Sequence, residues 1–238
     1  EGSEEITNGD FATDSDWTKG SGWTIGGGKA TTDGIFSSSL SQANVTTIGK
    51  SYKYSFTVSD SGVGVIEGRF RTNSGSIVNF SAEGTYEGYF TAVGDDPSIV
   101  TLSGNTASFS IDNVSVVEVG QDWTLGTGWS IGDDVATCDG TQVGNTNLAQ
   151  GSVFSSLGNK NIKLSFTVSN YVNGSVRFIS GNGALTHTSV STNGVVNLYF
   201  NVGANTATTF NIQGDADFIG SITNITVEEV GQEWTLTD

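Results

Sequence analysis

One aromatic ring and a few planar polar side chains carry most of the chemistry this sequence offers. Tyr199 stands between Asn197 and Asn201 in "GVVNLYFN". In an extended strand that spacing puts all three on one face. Such a ring suits the apolar face of a sugar, and carboxamides or a guanidinium suit its hydroxyls. Arg177, expected on the neighbouring strand, completes the set. An earlier stretch offers Tyr89 with Arg69, Glu87 and Thr91. The competing reading of both groups is a solvated sheet face.

Catalytic constellations are weaker. The single histidine, His187, has threonine on either side and no nucleophile elbow to serve. Glu67 and Glu87 could make a carboxylate pair near Arg69, but they read better as charge balance around that arginine. "GGG" at 26–28 reads as a turn. The single cysteine, Cys138, permits no intramolecular disulfide and no cysteine metal cluster, and reads as a half-buried strand residue. With 9 basic against 25 acidic residues, the net charge is −16. That excludes the basic footprint of a nucleic-acid binder and disfavours an anionic membrane surface. No apolar run approaches the length of a membrane span. The absence of methionine, even at position 1, reads as a processed chain or a piece of a longer one.

These residues must be positioned by a fold, and the chain states it twice. "GWTIGGGKATTDG" (22–34) matches "GWSIGDDVATCDG" (128–140); "KSYKYSFTVS" (50–59) matches "KNIKLSFTVS" (160–169); "SIDNVSVVEVGQDW" (110–123) matches "SITNITVEEVGQEW" (221–234). Two homologous domains follow, 1–122 and 123–238, with the boundary somewhere in 118–128. Thirty-five per cent hydrophobic residues are enough for two cores.

The copies also serve as a two-row alignment. Tyr52, Tyr54, Phe56 and Val58 stand opposite Ile162, Leu164, Phe166 and Val168, a period-2 face that must be core. Tyr52 and Tyr54 are therefore poor ligand candidates. Phe70 and Phe178 point inward, and Arg69 and Arg177 outward. Val100 and Leu102 are expected to match core-facing Phe210 and Ile212. No amphipathic helical stretch appears. Each copy reads as about eight short strands in a two-sheet β-sandwich, so the chain is all-β.

The phrases "NGDF…W" (8–17), "YKYSFTVS", "GTYEGYFTAV" and "FSIDNVSVVEV" resemble the jelly-roll carbohydrate-binding modules of families 4, 9 and 22, with similar repeats in phage and viral structural proteins. The resemblance covers both copies. It implies a concave sheet holding glycan chains, and thus a non-catalytic carbohydrate-binding or adhesion tandem. The partner would be a polysaccharide or cell-surface glycan, and the setting extracellular or a virion surface. It also implies a structural calcium joining first and last strands. Asp10 and Asp112 suit that ion in copy one, and both are lost from copy two, where Thr223 stands for Asp112. The alternative is a decoration, fibre or filament protein that packs against neighbouring subunits and binds nothing small.

Paired tryptophans, Trp17 with Trp123 and Trp23 with Trp129, read as packing at the domain ends. The phrase "GQDWTL" follows the last strand of copy one and recurs as "GQEWTL" after copy two, which has no first strand of its own beyond this phrase. It reads as a cap, Trp123 closing the first domain and Trp234 the second.

Overall fold

The computed structural model describes residues 2–181, 183–204 and 209–231, and divides into two units, Glu1–Gly120 and Gln121–Asp238. Every described regular element is a strand. The first unit holds β1 (Thr18–Lys19), β2 (Trp23–Gly26), β3 (Lys29–Thr32), β4 (Ser39–Ser41), β5 (Ser51–Ser59), β6 (Gly68–Thr72), β7 (Gly75–Phe80), β8 (Gly84–Thr91), β9 (Ser98–Thr101) and β10 (Phe109–Val119). The second holds β11 (Trp123–Leu125), β12 (Trp129–Gly132), β13 (Val135–Asp139), β14 (Thr146–Gln150), β15 (Asn161–Asn173), β16 (Val176–Ser180), β17 (Gly194–Asn201), β18 (Phe210–Gly214) and β19 (Ile219–Glu229).

Each unit is a sandwich of two antiparallel sheets. In the first the orders are β1-β4-β9-β6-β7 and β2-β3-β10-β5-β8; in the second they are β11-β14-β18-β16 and β12-β13-β19-β15-β17. The alternation that marked β5 as half-buried drives this arrangement: Tyr52, Tyr54, Phe56 and Val58 are all buried. They meet Phe70 of the opposite sheet, with Tyr54 and Phe56 centroids 5.2 and 5.6 Å from it. In the second unit Phe178 takes the same place, stacked on Phe200 and tilted against Phe210. The segment after β16 replaces β7 there, bridging Val176 to Val190 and Ile179 to Thr186.

The repeated "GxGW" is a corner. Gly20 and Gly126 accept the turn bonds of Trp23 N and Trp129 N at 3.2 and 3.1 Å, as the chain leaves one sheet for the other. Gly22 and Gly128 have φ of 81° and 86°, where glycine is at no steric disadvantage. Trp23 and Trp129 are buried behind the corner against Phe109 and Phe218, as the structural reading expected. The hairpin after β2 turns on Gly27 and Gly28, and its twin on Asp133 and Asp134, all at positive φ as a type I′ turn requires.

Three expectations need correction. Trp123 does not cap the first domain. It lies in β11, pairs with β14 and packs edge-on to Phe210, so "DWTxGxGW" opens a domain. Trp234 lies outside the described residues. Nor is Val100 core: Ile99 is buried and pairs with Phe70, as Ile212 pairs with Phe178, while Val100 stands beside Arg69. The true partner of Ile212 is Ile99, and Leu102 lies beyond β9. Finally, Cys138 is fully buried, its thiol donating to Gln142 Oε1 at 3.3 Å, and burial raises its pKa.

Candidate functional site

The expected ligand set divides between the two sheets. Tyr199, Asn197 and Asn201 lie on β17, next to β15. Arg177 lies on β16, in the opposite sheet beside β18. Both sets face away from the shared core, so they sit on opposite outer faces of the sandwich. The first unit repeats this: Glu87, Tyr89 and Thr91 pair across β8 and β5, while Arg69 belongs to β6 with β7 and β9. Strands consecutive in sequence, β16 and β17 or β7 and β8, are in different sheets because the connection crosses the sandwich. Glu67 and Glu87 are separated in the same way and form no pair.

On the β17 face, Tyr199 stands opposite Lys163, Asn197 opposite Ser165 and Asn201 opposite Asn161. The next strand continues the rows with Glu228 and Thr226. Tyr199 is 66% exposed, the most exposed aromatic ring among the described residues, whereas Tyr89 is 37% exposed. Its neighbours in sequence, Leu198 and Phe200, turn inward against the core. Asn201 is committed to its own strand end: it donates to Asn159 O and Asn161 Oδ1 and accepts from Gly203 N. Thr91 is similarly shared with Ser51 at 3.5 Å.

Across the sandwich, Arg177 donates from Nε and Nη2 to Gln213 Oε1 at 3.2 and 2.8 Å. Gln213 donates onward to Asn147 Oδ1 at 3.1 Å. Asn211 and Gln213 read from the sequence as a weaker polar pair on the second sheet; the row that ties Gln213 to Arg177 and Asn147 across β16, β18 and β14 was not expected. Its signal was Gln213 two residues from Asn211 in a strand, which marks one face but not the partner strands. In the first unit Arg69 donates to Asn79 Oδ1 at 2.9 Å instead. Beside it, a shallow depression of about 330 Å³ is lined by Glu67, Asn79, Ser81 and Leu102.

The remaining candidates are held locally. His187 packs between Phe178 and Phe200, centroids 5.6 and 4.6 Å away, and burial lowers its pKa. That environment suits a packing residue. Asp10 Oδ1 accepts from Ala12 N at 3.3 Å and Asp112 Oδ1 from Asn113 N at 2.6 Å. Among the described residues no three His, Cys, Asp or Glu side chains gather as metal ligands. Asp10 and Asp112 alone would supply two to four of the roughly six to eight oxygens calcium takes, leaving the rest to carbonyls and water.

The chain is thus a tandem of two antiparallel β-sandwich domains with polar outer faces. No family model matches it, and no curated protein matches it. Among solved structures it is similar to the N-terminal tandem of two family 22 carbohydrate-binding modules of Xyn10C from Paenibacillus barcinonensis, at 10% identity, covering 96% of this chain and 98% of that one, TM-score 0.37. It is also similar to a mutant family 29 carbohydrate-binding module, at 16% identity over 50% of this chain and 85% of that one, TM-score 0.34. A third is the tandem CBM51 modules of a family 98 glycoside hydrolase from Streptococcus pneumoniae, at 9% identity, covering 82% and 81%, TM-score 0.23. Identities and scores this low leave any ligand to be argued from this chain's own side chains.

Proposed function

We propose that this chain is a non-catalytic glycan-binding tandem whose principal contact is the β17 face of the second unit. The observation that carries the reading is Tyr199, a ring left 66% exposed in a row with Lys163 and Glu228, with Asn197 and Ser165 one pleat away. Burying such a ring against a sugar gains apolar contact while the neighbouring amide takes a hydroxyl. Shallow polar surfaces of this kind bind in the micromolar to millimolar range, roughly −4 to −8 kcal/mol. Two units on one ligand chain would add avidity, with Tyr89 and Glu87 as the first unit's weaker counterpart. The partner is a polysaccharide or cell-surface glycan, and the setting extracellular or a virion surface. A structural calcium at Asp10 and Asp112 stays part of the proposal.

Glycan-array binding compared with Tyr199→Ala tests it. A loss of about tenfold or more in that variant, roughly 1.4 kcal/mol, is expected. Arg177→Ala should leave the same ligand's binding intact, since it faces the other way. Binding indifferent to Tyr199→Ala would remove this site. A second reading, a purely structural subunit, is favoured by the open strand edge described next; an array with no binding at all would support it.

A further inference from the structure

The two units differ most where the first strand of each last-strand partner should be. In the first unit, residues 2–11 run along β10 beyond the end of β3. Gly2 N donates to Glu118 O, Glu5 N to Val116 O, and Val114 N to Gly9 O, each at 2.9 Å. The Glu4 carboxylate accepts from Val116 N at 2.8 Å and from the Ser115 hydroxyl at 2.6 Å. Ile6 and Phe11 then close over Val114 and Val116, and Phe11 meets Trp17 at 5.2 Å. All of these apolar residues are buried.

β19 is the counterpart of β10, down to the bulge that breaks register at Asn113 and Asn224, both with φ of 52°. Ile225 and Val227 occupy the positions of Val114 and Val116, and Trp123 that of Trp17. All three are only half-buried. β13 pairs with β19 only through Ile219–Ile222, so from Thr223 to Glu229 the far edge of β19 has no strand beside it among the described residues. The chain enters this unit directly from β10, without any segment like 2–11.

We propose that this open edge, with Ile225 and Val227 behind it, is a docking groove for an extended segment of a separate protein. The filled groove of the first unit defines that segment. It carries a carboxylate for Val227 N and the Thr226 hydroxyl, as Glu4 serves Val116 and Ser115, and an apolar residue two places on. Glycine must follow where the backbones touch, because a Cβ on Gly9 would lie 2.0 Å from Val114 O. An aromatic residue two further on covers the tryptophan. Added strands of this kind gain affinity from main-chain bonds and specificity from alternate side chains. A second copy of this chain is a poor donor. Its own segment already makes these contacts within one molecule, at high effective concentration.

The test uses a fluorescein-labelled peptide of residues 1–14, titrated into the full chain and read by polarization, with amide exchange to locate it. Saturable 1:1 binding is expected, with slowed exchange at 223–229 and not at 114–119. Gly9→Val or Phe11→Ala in the peptide should weaken it at least tenfold; changes in the peptide leave the protein's folding untouched. No saturation at 1 mM, or equal binding by the Gly9→Val peptide, would overturn the proposal. So would concentration-dependent self-association of the chain with protection at 223–229, which would make a second copy the occupant.

Discussion

Phe11 offers the sharpest test of how the first unit is closed. It is 1% exposed and packs on Trp17, whose indole N–H donates to Asn8 O at 3.0 Å. Truncation to alanine should cost about 3–5 kcal/mol, a large share of a domain's typical stability of roughly 5–15 kcal/mol. The backbone adds a second term. Phe11 has φ of 50°, left-handed for a bulky residue. Holding an L-residue there costs about 1–2 kcal/mol, which glycine avoids; glycine's extra unfolded-state freedom takes back about 0.5–1 kcal/mol. Phe11→Gly should therefore be as stable as Phe11→Ala, or more so by a few tenths of a kcal/mol, the reverse of the order in a helix or strand interior. Urea unfolding gives the magnitudes. Hydrogen exchange assigns the loss to β5 and β10, leaving β15 and β19 protected. A loss below about 1 kcal/mol, or one shared equally by both units, would refute the closure argument. Phe11→Gly clearly weaker than Phe11→Ala would refute the strain.

Burial lowers the His187 pKa from 6.5, so the unfolded chain takes up its proton first; stability should fall as pH drops below about 6.5 and level off below the folded value. His187→Leu should flatten that slope between pH 7 and 5 in urea midpoints, and because it is the only histidine an unchanged slope would contradict the assignment. Asp134 sits at φ 58° in the second position of a type I′ turn, with its counterpart Gly28 at 77°. Asp134→Gly should raise stability by about 0.5–1 kcal/mol in the same assay, and a loss would count against turn strain. If calcium joins Asp10 and Asp112, millimolar calcium should raise the melting temperature of the chain but not of Asp112→Asn; equal midpoints would dismiss the ion.

Much of the fold was legible because two copies expose which side of each strand tolerates only apolar residues. Tyr52 and Tyr54 replaced by Ile162 and Leu164 gave the core face of β5 directly. The repeated tryptophans gave packing positions, and Trp23 and Trp129 are both buried. What period-2 patterns do not carry is the sheet a strand joins. Arg177 and Tyr199 both point outward, as read, yet from opposite sheets, and nothing local to either residue distinguishes the two cases. The slip at Ile99 has a similar cause. "SIVTL" is apolar at three of five places, so either of two registers fits, and only Phe70 across the ladder decides. The "GQDWTL" phrase misled for another reason. It directly follows β10 in sequence, but Trp123 bonds to β14, and adjacency in the chain hid a domain start.

The open edge of β19 is more than a missing piece, because the second unit has adjusted to it. After the left-handed residue, Asn44 in the first unit and Ser152 in the second, both have a valine, Val45 and Val153; the next residue is Thr46 in the first and Phe154 in the second, buried and packed on both Phe178 and Phe210. Trp123 packs edge-on to the same Phe210. Phe154 therefore fills core volume from within the unit, while Ile225 and Val227 keep partial exposure at the edge. A domain merely stripped of its covering strand would leave Val114- and Val116-like positions exposed with no gain elsewhere, at a cost of about 25 cal/mol for each Å² of apolar surface returned to water. An aromatic ring added to the same core offsets part of that cost in a unit whose β19 edge is unpaired among the described residues. Replacing Phe154 with valine should then destabilise the second unit by about 1–3 kcal/mol, and adding the 1–14 peptide should restore part of the loss by binding only the folded state. If Phe154→Val costs nothing, the ring does not compensate, and the edge is simply tolerated.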